Sequence, residues 1–154
     1  MGNVLSRPKT AAYLLVMVLQ LLISGCQDTP PEEAIKAALS ELEEAVEAGD
    51  TSTILDRLTD SAVIHRGQSM DRKTLQRTLV GLFFRYPKRQ LTLAGIRIEM
   101  APNGTTARAR FTALVWGGRN TLPEKADSYQ VDSHWLVQDG DWKIESLESK
   151  RVYE

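Results

Sequence analysis

Asp127-Ser128-Tyr129-Gln130-Val131-Asp132-Ser133-His134-Trp135-Leu136-Val137-Gln138-Asp139-Gly140-Asp141-Trp142-Lys143-Ile144 decides the fold of this chain. Tyr129, Val131, Ser133, Trp135 and Val137 share one phase of a two-residue period, the pattern of a strand with one buried face. Asp139-Gly140 is a two-residue hairpin signal, because both residues tolerate positive φ. Trp142 and Ile144 then open the returning strand.

Working back from this hairpin, Thr105–Trp116 puts Ala107, Ala109, Phe111, Ala113 and Val115 on one face, with Arg108, Arg110 and Thr112 on the other. Gly117-Gly118 breaks the pattern and a loop with Pro123 follows. Before it, Gln90–Met100 alternates with Ile96, Ile98 and Met100 in phase, and Pro102-Asn103-Gly104 supplies the turn. Everything after Pro87 therefore predicts four antiparallel strands in a meander.

The segment before Pro87 is mostly helical. From Glu32, Ile35, Leu39, Leu42 and Val46 recur at helical spacing, while Glu41, Glu43, Glu44 and Glu47 mostly lie off that stripe as a solvated face. Gly49 ends the helix, and Asp50 caps a second, short one through Leu58 that carries Ile54, Leu55 and Leu58. Ser61-Ala62-Val63-Ile64-His65 reads as a short strand closed by Gly67. Asp71 caps a third helix with Leu75, Leu79, Leu82, Phe83 and Tyr86 on one stripe, and Pro87 stops it. Helices followed by an antiparallel sheet define an α+β class.

The first residues have another purpose. Arg7 and Lys9 precede an apolar run, Leu14-Leu15-Val16-Met17-Val18-Leu19-Gln20-Leu21-Leu22-Ile23, too short to span a bilayer but right for a signal-peptide core. It ends in Ile23-Ser24-Gly25-Cys26, which resembles the bacterial lipobox: a branched aliphatic residue, two small residues and the cysteine. That resemblance implies cleavage before Cys26, diacylglycerol on its thiol and acylation of its new amino group, enough chains for stable anchoring. Residues 1–25 are thus expected to be a signal peptide, 26–31 a lipidated tether stiffened by Pro30-Pro31, and 32–154 the folded domain. Gln27 at the second mature position, rather than Asp, implies an outer membrane and a periplasmic face in a Gram-negative cell. In another envelope type the expected place is the outer face of the cytoplasmic membrane.

Composition agrees with a globular domain: 42% hydrophobic and 25% charged residues. The whole chain has 19 Lys and Arg against 20 Asp and Glu. Without residues 1–25, which hold Arg7, Lys9 and no acid, 17 basic side chains face 20 acidic ones. That balance, with no basic patch interleaved with aromatics, argues against a nucleic-acid partner. The single cysteine excludes an internal disulfide framework.

Residues 32–152 resemble the nuclear transport factor 2-like superfamily, which includes the SnoaL-like polyketide cyclases and the ketosteroid isomerases. The resemblance rests on Glu47-Ala48-Gly49-Asp50, the short helix with Leu55 and Leu58, Asp60-Ser61-Ala62-Val63-Ile64-His65, Trp135 and Asp139-Gly140-Asp141-Trp142-Lys143-Ile144, in that order. It implies a curved antiparallel sheet wrapped around the three N-terminal helices as a cone, with a cavity against the concave face. It also implies a convex face on which two copies of the chain pair. By phase, Phe111, Trp135 and Trp142 either line that cavity or fill core, with His65 and Tyr86 near its mouth.

Isomerases of this fold set a carboxylate base against a tyrosine or protonated acid. Asp60, His65 and Tyr86 are the candidates here, though no motif carries a role onto any of them. Asp132 and His134 share a strand face, but the chain has only two histidines and its one thiol is expected to be lipidated, so no metal is expected. No phosphate-binding glycine loop or nucleophile elbow is present, and no cofactor is expected. Two functions stay open. One is an envelope module that binds a small hydrophobic ligand or a protein partner without catalysis; the other is a cone-fold isomerase, cyclase or dehydratase acting on a small carbonyl compound.

Overall fold

The computed structural model describes residues 29–120 and 123–152; residues 1–28, including the expected signal peptide, Cys26 and Gln27, lie outside the described residues. Helix α1 spans Pro31–Ala48, α2 Thr51–Asp56 and α3 Arg72–Arg85. The strands are β1 Leu58–Arg66, β2 Gln68–Met70, β3 Lys88–Met100, β4 Thr106–Gly118, β5 Lys125–Gln138 and β6 Asp141–Arg151. They form one curved sheet in the order β2-β1-β6-β5-β4-β3.

Pro31 opens α1 where its missing N–H costs nothing, and Glu32 and Glu33 sit in the first turn, where the helix dipole favours acids. Ile35, Ala38, Leu39 and Ala45 are buried against the sheet, while Leu42 and Val46 are half-buried beside them. The helix ends at Gly49 (φ 75°), whose left-handed backbone suits glycine. A Cβ there would overlap Arg89 Nη2, so any other residue would also have to displace the guanidinium that caps this helix end. Asp50 caps α2, accepting from the Thr53 amide (3.2 Å), the Ser52 hydroxyl (2.6 Å) and the Thr53 hydroxyl (2.7 Å).

The expected second helix through Leu58 is shorter, and the strand after it is longer. Leu58 already pairs with Ile144, and the Ile144 amide donates to the Arg57 carbonyl (2.8 Å), so the chain is extended from Leu58 and Asp60 lies within a strand. The expectation of a wholly antiparallel sheet also needs correction: β1 runs parallel to β6, its only such neighbour. After Gly67 (φ 72°) a short antiparallel strand, β2, pairs Ile64 with Met70 and Arg66 with Gln68. Gly117-Gly118 does not break β4; both glycines are buried and pair with Arg89 and Lys88 of β3. Space at 117 is tight: a Cβ there would lie 3.0 Å from Tyr86 Cβ and Cγ, so Tyr86 would have to shift.

Gly95 (φ 65°) marks a bulge in β3 between Ala94 and Arg97. The bulge moves the inward phase from Leu91 and Leu93 to Ile96, Ile98 and Met100, so every one of these packs against the core. Glu43 Oε1 accepts from the Leu93 amide (2.6 Å) and ties α1 to this strand. Asp139 (φ 56°) and Gly140 (φ 86°) make the tight turn between β5 and β6. The core lies between α1, α2 and the inward faces of β4, β5 and β6, with Trp135 only 1% exposed.

Helix α3 is different. Asp71 caps it (Thr74 amide to Oδ1, 2.8 Å), yet none of its residues is fully buried. The expected stripe of Leu79, Leu82, Phe83 and Tyr86 faces a cavity instead of the core, and Phe84 on the far side is 91% exposed.

Candidate functional site

The register of the sheet gathers one end of β3, β4 and β5: Arg89 opposite Gly117, Leu91 opposite Val115, Gly117 opposite Lys125, Val115 opposite Asp127 and Ala113 opposite Tyr129. Helix α3 lies over this end, with the C-terminal turn of α1 and the end of β1 beside it. Between them is a cavity of about 350 Å³. Val46, Leu79, Leu82, Phe83, Leu91, Val115 and Trp116 form its apolar wall. Arg66, Arg85, Arg89, Lys125, Asp127, Tyr86 and Tyr129 supply its polar groups.

Arg89 holds the framework together. Its Nε donates to the Val46 carbonyl (2.6 Å), and its Nη1 to the carbonyls of Tyr86 (3.0 Å), Pro87 (3.3 Å) and Phe83 (3.5 Å). Its guanidinium also stacks 4.4 Å from the Phe83 ring centroid. One side chain therefore joins the last turns of α1 and α3 to the start of β3. Burial lowers its pKa, though an arginine stays charged regardless.

A second cluster stands on the opposite wall. Arg66 stacks 4.7 Å from the Tyr129 ring centroid and donates through Nη2 to its hydroxyl. The Tyr129 hydroxyl donates to Asp127 Oδ2 (3.3 Å). Asp127 also meets Arg151 Nη2 at 3.2 Å and Lys125 Nζ at 3.6 Å. The only carboxylate lining the cavity among the described residues is thus engaged by two cations and a phenol.

Of the three residues singled out for proton transfer, the structure brings only Tyr86 to the cavity. The Asp60 side chain is 94% exposed, with Arg72 Nη1 3.8 Å away. His65 is exposed outside the lining, its Nδ1 2.9 Å from Ser69 Oγ. Phe111, Trp135 and Trp142 are core residues and do not line the cavity. Trp135 Nε1 donates to Ser133 Oγ (2.9 Å), which donates to the Ala109 carbonyl (2.9 Å), so the buried indole is satisfied without a ligand. Asp132 is engaged by Arg108 through two hydrogen bonds on the outer face, which lowers its pKa.

Sequence reasoning missed Arg66, Lys125, Asp127 and Tyr129 as a group, although the signal was present. Ala62 and Ile64 are the inward residues of β1, so the same phase continues to Arg66 and sends His65 to the other face. In β5, Asp127 and Lys125 likewise continue the inward phase of Tyr129 beyond the core. A charge at an inward position near a strand end marks a cavity mouth.

No protein-family model and no curated protein sequence matches this chain. Solved structures do match its shape. A candidate dehydratase of the nuclear transport factor 2-like family from Streptomyces avermitilis is 18% identical, over 79% of this chain and 96% of that one, with a TM-score of 0.68. A cystatin-like protein of unknown function from Nostoc punctiforme is 10% identical, over 80% and 92%, with a TM-score of 0.67. A type 2 hexachlorocyclohexane dehydrochlorinase is 14% identical, over 79% and 85%, with a TM-score of 0.66. The fold is therefore the nuclear transport factor 2-like, or cystatin-like, cone. At these identities the likeness establishes the fold alone, because this fold carries many activities.

Proposed function

We propose that this protein is a ligand-binding module of the cell envelope, tethered through lipid on Cys26, whose cavity holds a small, largely apolar molecule without transforming it. The observation that carries this reading is the cavity itself: an apolar wall with polar groups at one end, and no imidazole or uncommitted carboxylate in its lining among the described residues. Acid-base chemistry needs a group within reach that can take and return a proton. Asp127 is committed to its cations, and His65 and Asp60 point elsewhere. The second reading, a cone-fold enzyme acting on a small carbonyl compound, draws support from the dehydratase and dehydrochlorinase among the structural neighbours.

Mass spectrometry of solvent extracts from the full chain, isolated gently from its membranes, tests the proposal against a Leu82→Trp variant whose larger ring, on the cavity-facing side of α3, narrows the cavity. The expected result is a small molecule in near-equal amount with the wild-type chain and lost from the variant. An empty wild-type chain, or the same molecule with both proteins, would count against a binding role and favour the enzyme.

A further inference from the structure

We propose that the cavity selects an amphiphile with a single anionic head group, carboxylate or phosphate, whose head lies against Arg66 and Lys125 while its apolar body lies along α3. This deepens the binding role proposed above and rests on it. Four cations line the cavity, Arg66, Arg85, Arg89 and Lys125, against one carboxylate, Asp127. The imbalance stands out in a chain with 19 basic and 20 acidic residues.

The excess is not used up by structural contacts. Arg89 is, since it is spent on four backbone carbonyls. Asp127 is shared by Lys125, Arg151 and the Tyr129 hydroxyl, so it offsets only part of the charge around it. Arg66 gives one N–H to Tyr129, leaving further guanidinium donors for an oxyanion, and its stacking on the ring holds the plane in place. Lys125 pairs with Asp127 at 3.6 Å, an ion pair longer than a hydrogen bond, so its ammonium keeps N–H donors for a second anion, with half its side chain in solvent. Arg85 makes no ion pair among the described residues and lies at the C-terminal end of α3, on the same cavity rim. Along α3, Leu79, Leu82 and Phe83 add an apolar stretch to the lining, which suits a hydrocarbon body and not a small polar anion.

Equilibrium dialysis of the full chain, held in vesicles of a zwitterionic lipid with empty vesicles as reference, tests the inference with octanoate, octyl phosphate and octan-1-ol. The three probes share a body and differ in the head. The expected result is that at least one anion binds about tenfold or more tightly than octan-1-ol, the return on a charge-assisted hydrogen bond. The tighter anion then identifies the head as carboxylate or phosphate. In Arg66→Gln that preference falls to within about twofold of unity, and Lys125→Gln supplies the same test should the first variant fail to fold. Octan-1-ol binding as tightly as both anions would overturn the inference and leave the apolar binding role standing. Failure of all three probes to bind would overturn both.

Discussion

Truncating Trp135 to alanine is the most direct test of where the core ends and the cavity begins. The indole is 1% exposed, the largest of the fully buried side chains, and packs within the cluster formed by α1, β4, β5 and β6. Its removal costs lost transfer energy plus a void, about 3–5 kcal/mol for a buried tryptophan. The hydrogen-bond loss adds little, because the Ser133 hydroxyl keeps the Ala109 carbonyl as acceptor and no buried donor is orphaned. For a folded unit of about 120 residues, an unfolding entropy of about 0.25 kcal/mol per kelvin converts that cost into a melting point about 12–20 °C lower. Trp135→Phe keeps most of the apolar surface and forfeits the Nε1 hydrogen bond, for about 1–2 kcal/mol. Thermal melting by far-ultraviolet circular dichroism reads both. A shift below about 5 °C for Trp135→Ala would show that the side chain borders open space, and the division between core and cavity would be wrong.

Two further outcomes are expected. Asp50 has its pKa pulled down to about 2, first by the Ser52 hydroxyl and then by Thr53. A depressed folded pKa gives stability that is present above the ordinary carboxylate value and lost as pH falls toward about 2, so the advantage of wild type over Asp50→Asn should shrink across that interval. An unchanged difference in melting temperature would mean that the ionised cap does not form; Asp71, shifted in the same direction by Thr74, is left intact in both proteins. Cys26→Ala should abolish metabolic labelling with palmitate and leave the uncleaved precursor, and normal processing of that variant would refute the lipid anchor.

How much was legible depended on what a periodic pattern can encode. The β4–β5–β6 succession was readable because β4 and β5 alternate between Ala, Phe, Val or Trp inside and Arg, Asp or His outside, and β6 opens with Trp142 and Ile144 inside against Lys143 and Glu145. The partner of β1 was not, since alternation reveals a buried face but not which strand lies alongside or in which direction. Gln68-Ser69-Met70 was too short and polar to register as a strand. Gly95 hid half the inward face of β3 by reversing its phase. In α3 the apolar stripe was read correctly, but hydrophobic spacing does not distinguish a side chain facing core from one facing a cavity. The charged lining was overlooked because Arg66, Lys125 and Asp127 sit at strand ends, where charge ordinarily means solvent.

β6 follows the other strands in sequence yet lies between β1 and β5, so it joins the two halves of the sheet. Without residues 141–151, β1 has only the short β2 to pair with, and Trp135 has no Ile144 across from it. The pairing of Leu58 with Ile144 joins residues far apart in the chain, and closing so long a loop costs entropy. The core is therefore complete only once β6 has taken its place between β1 and β5.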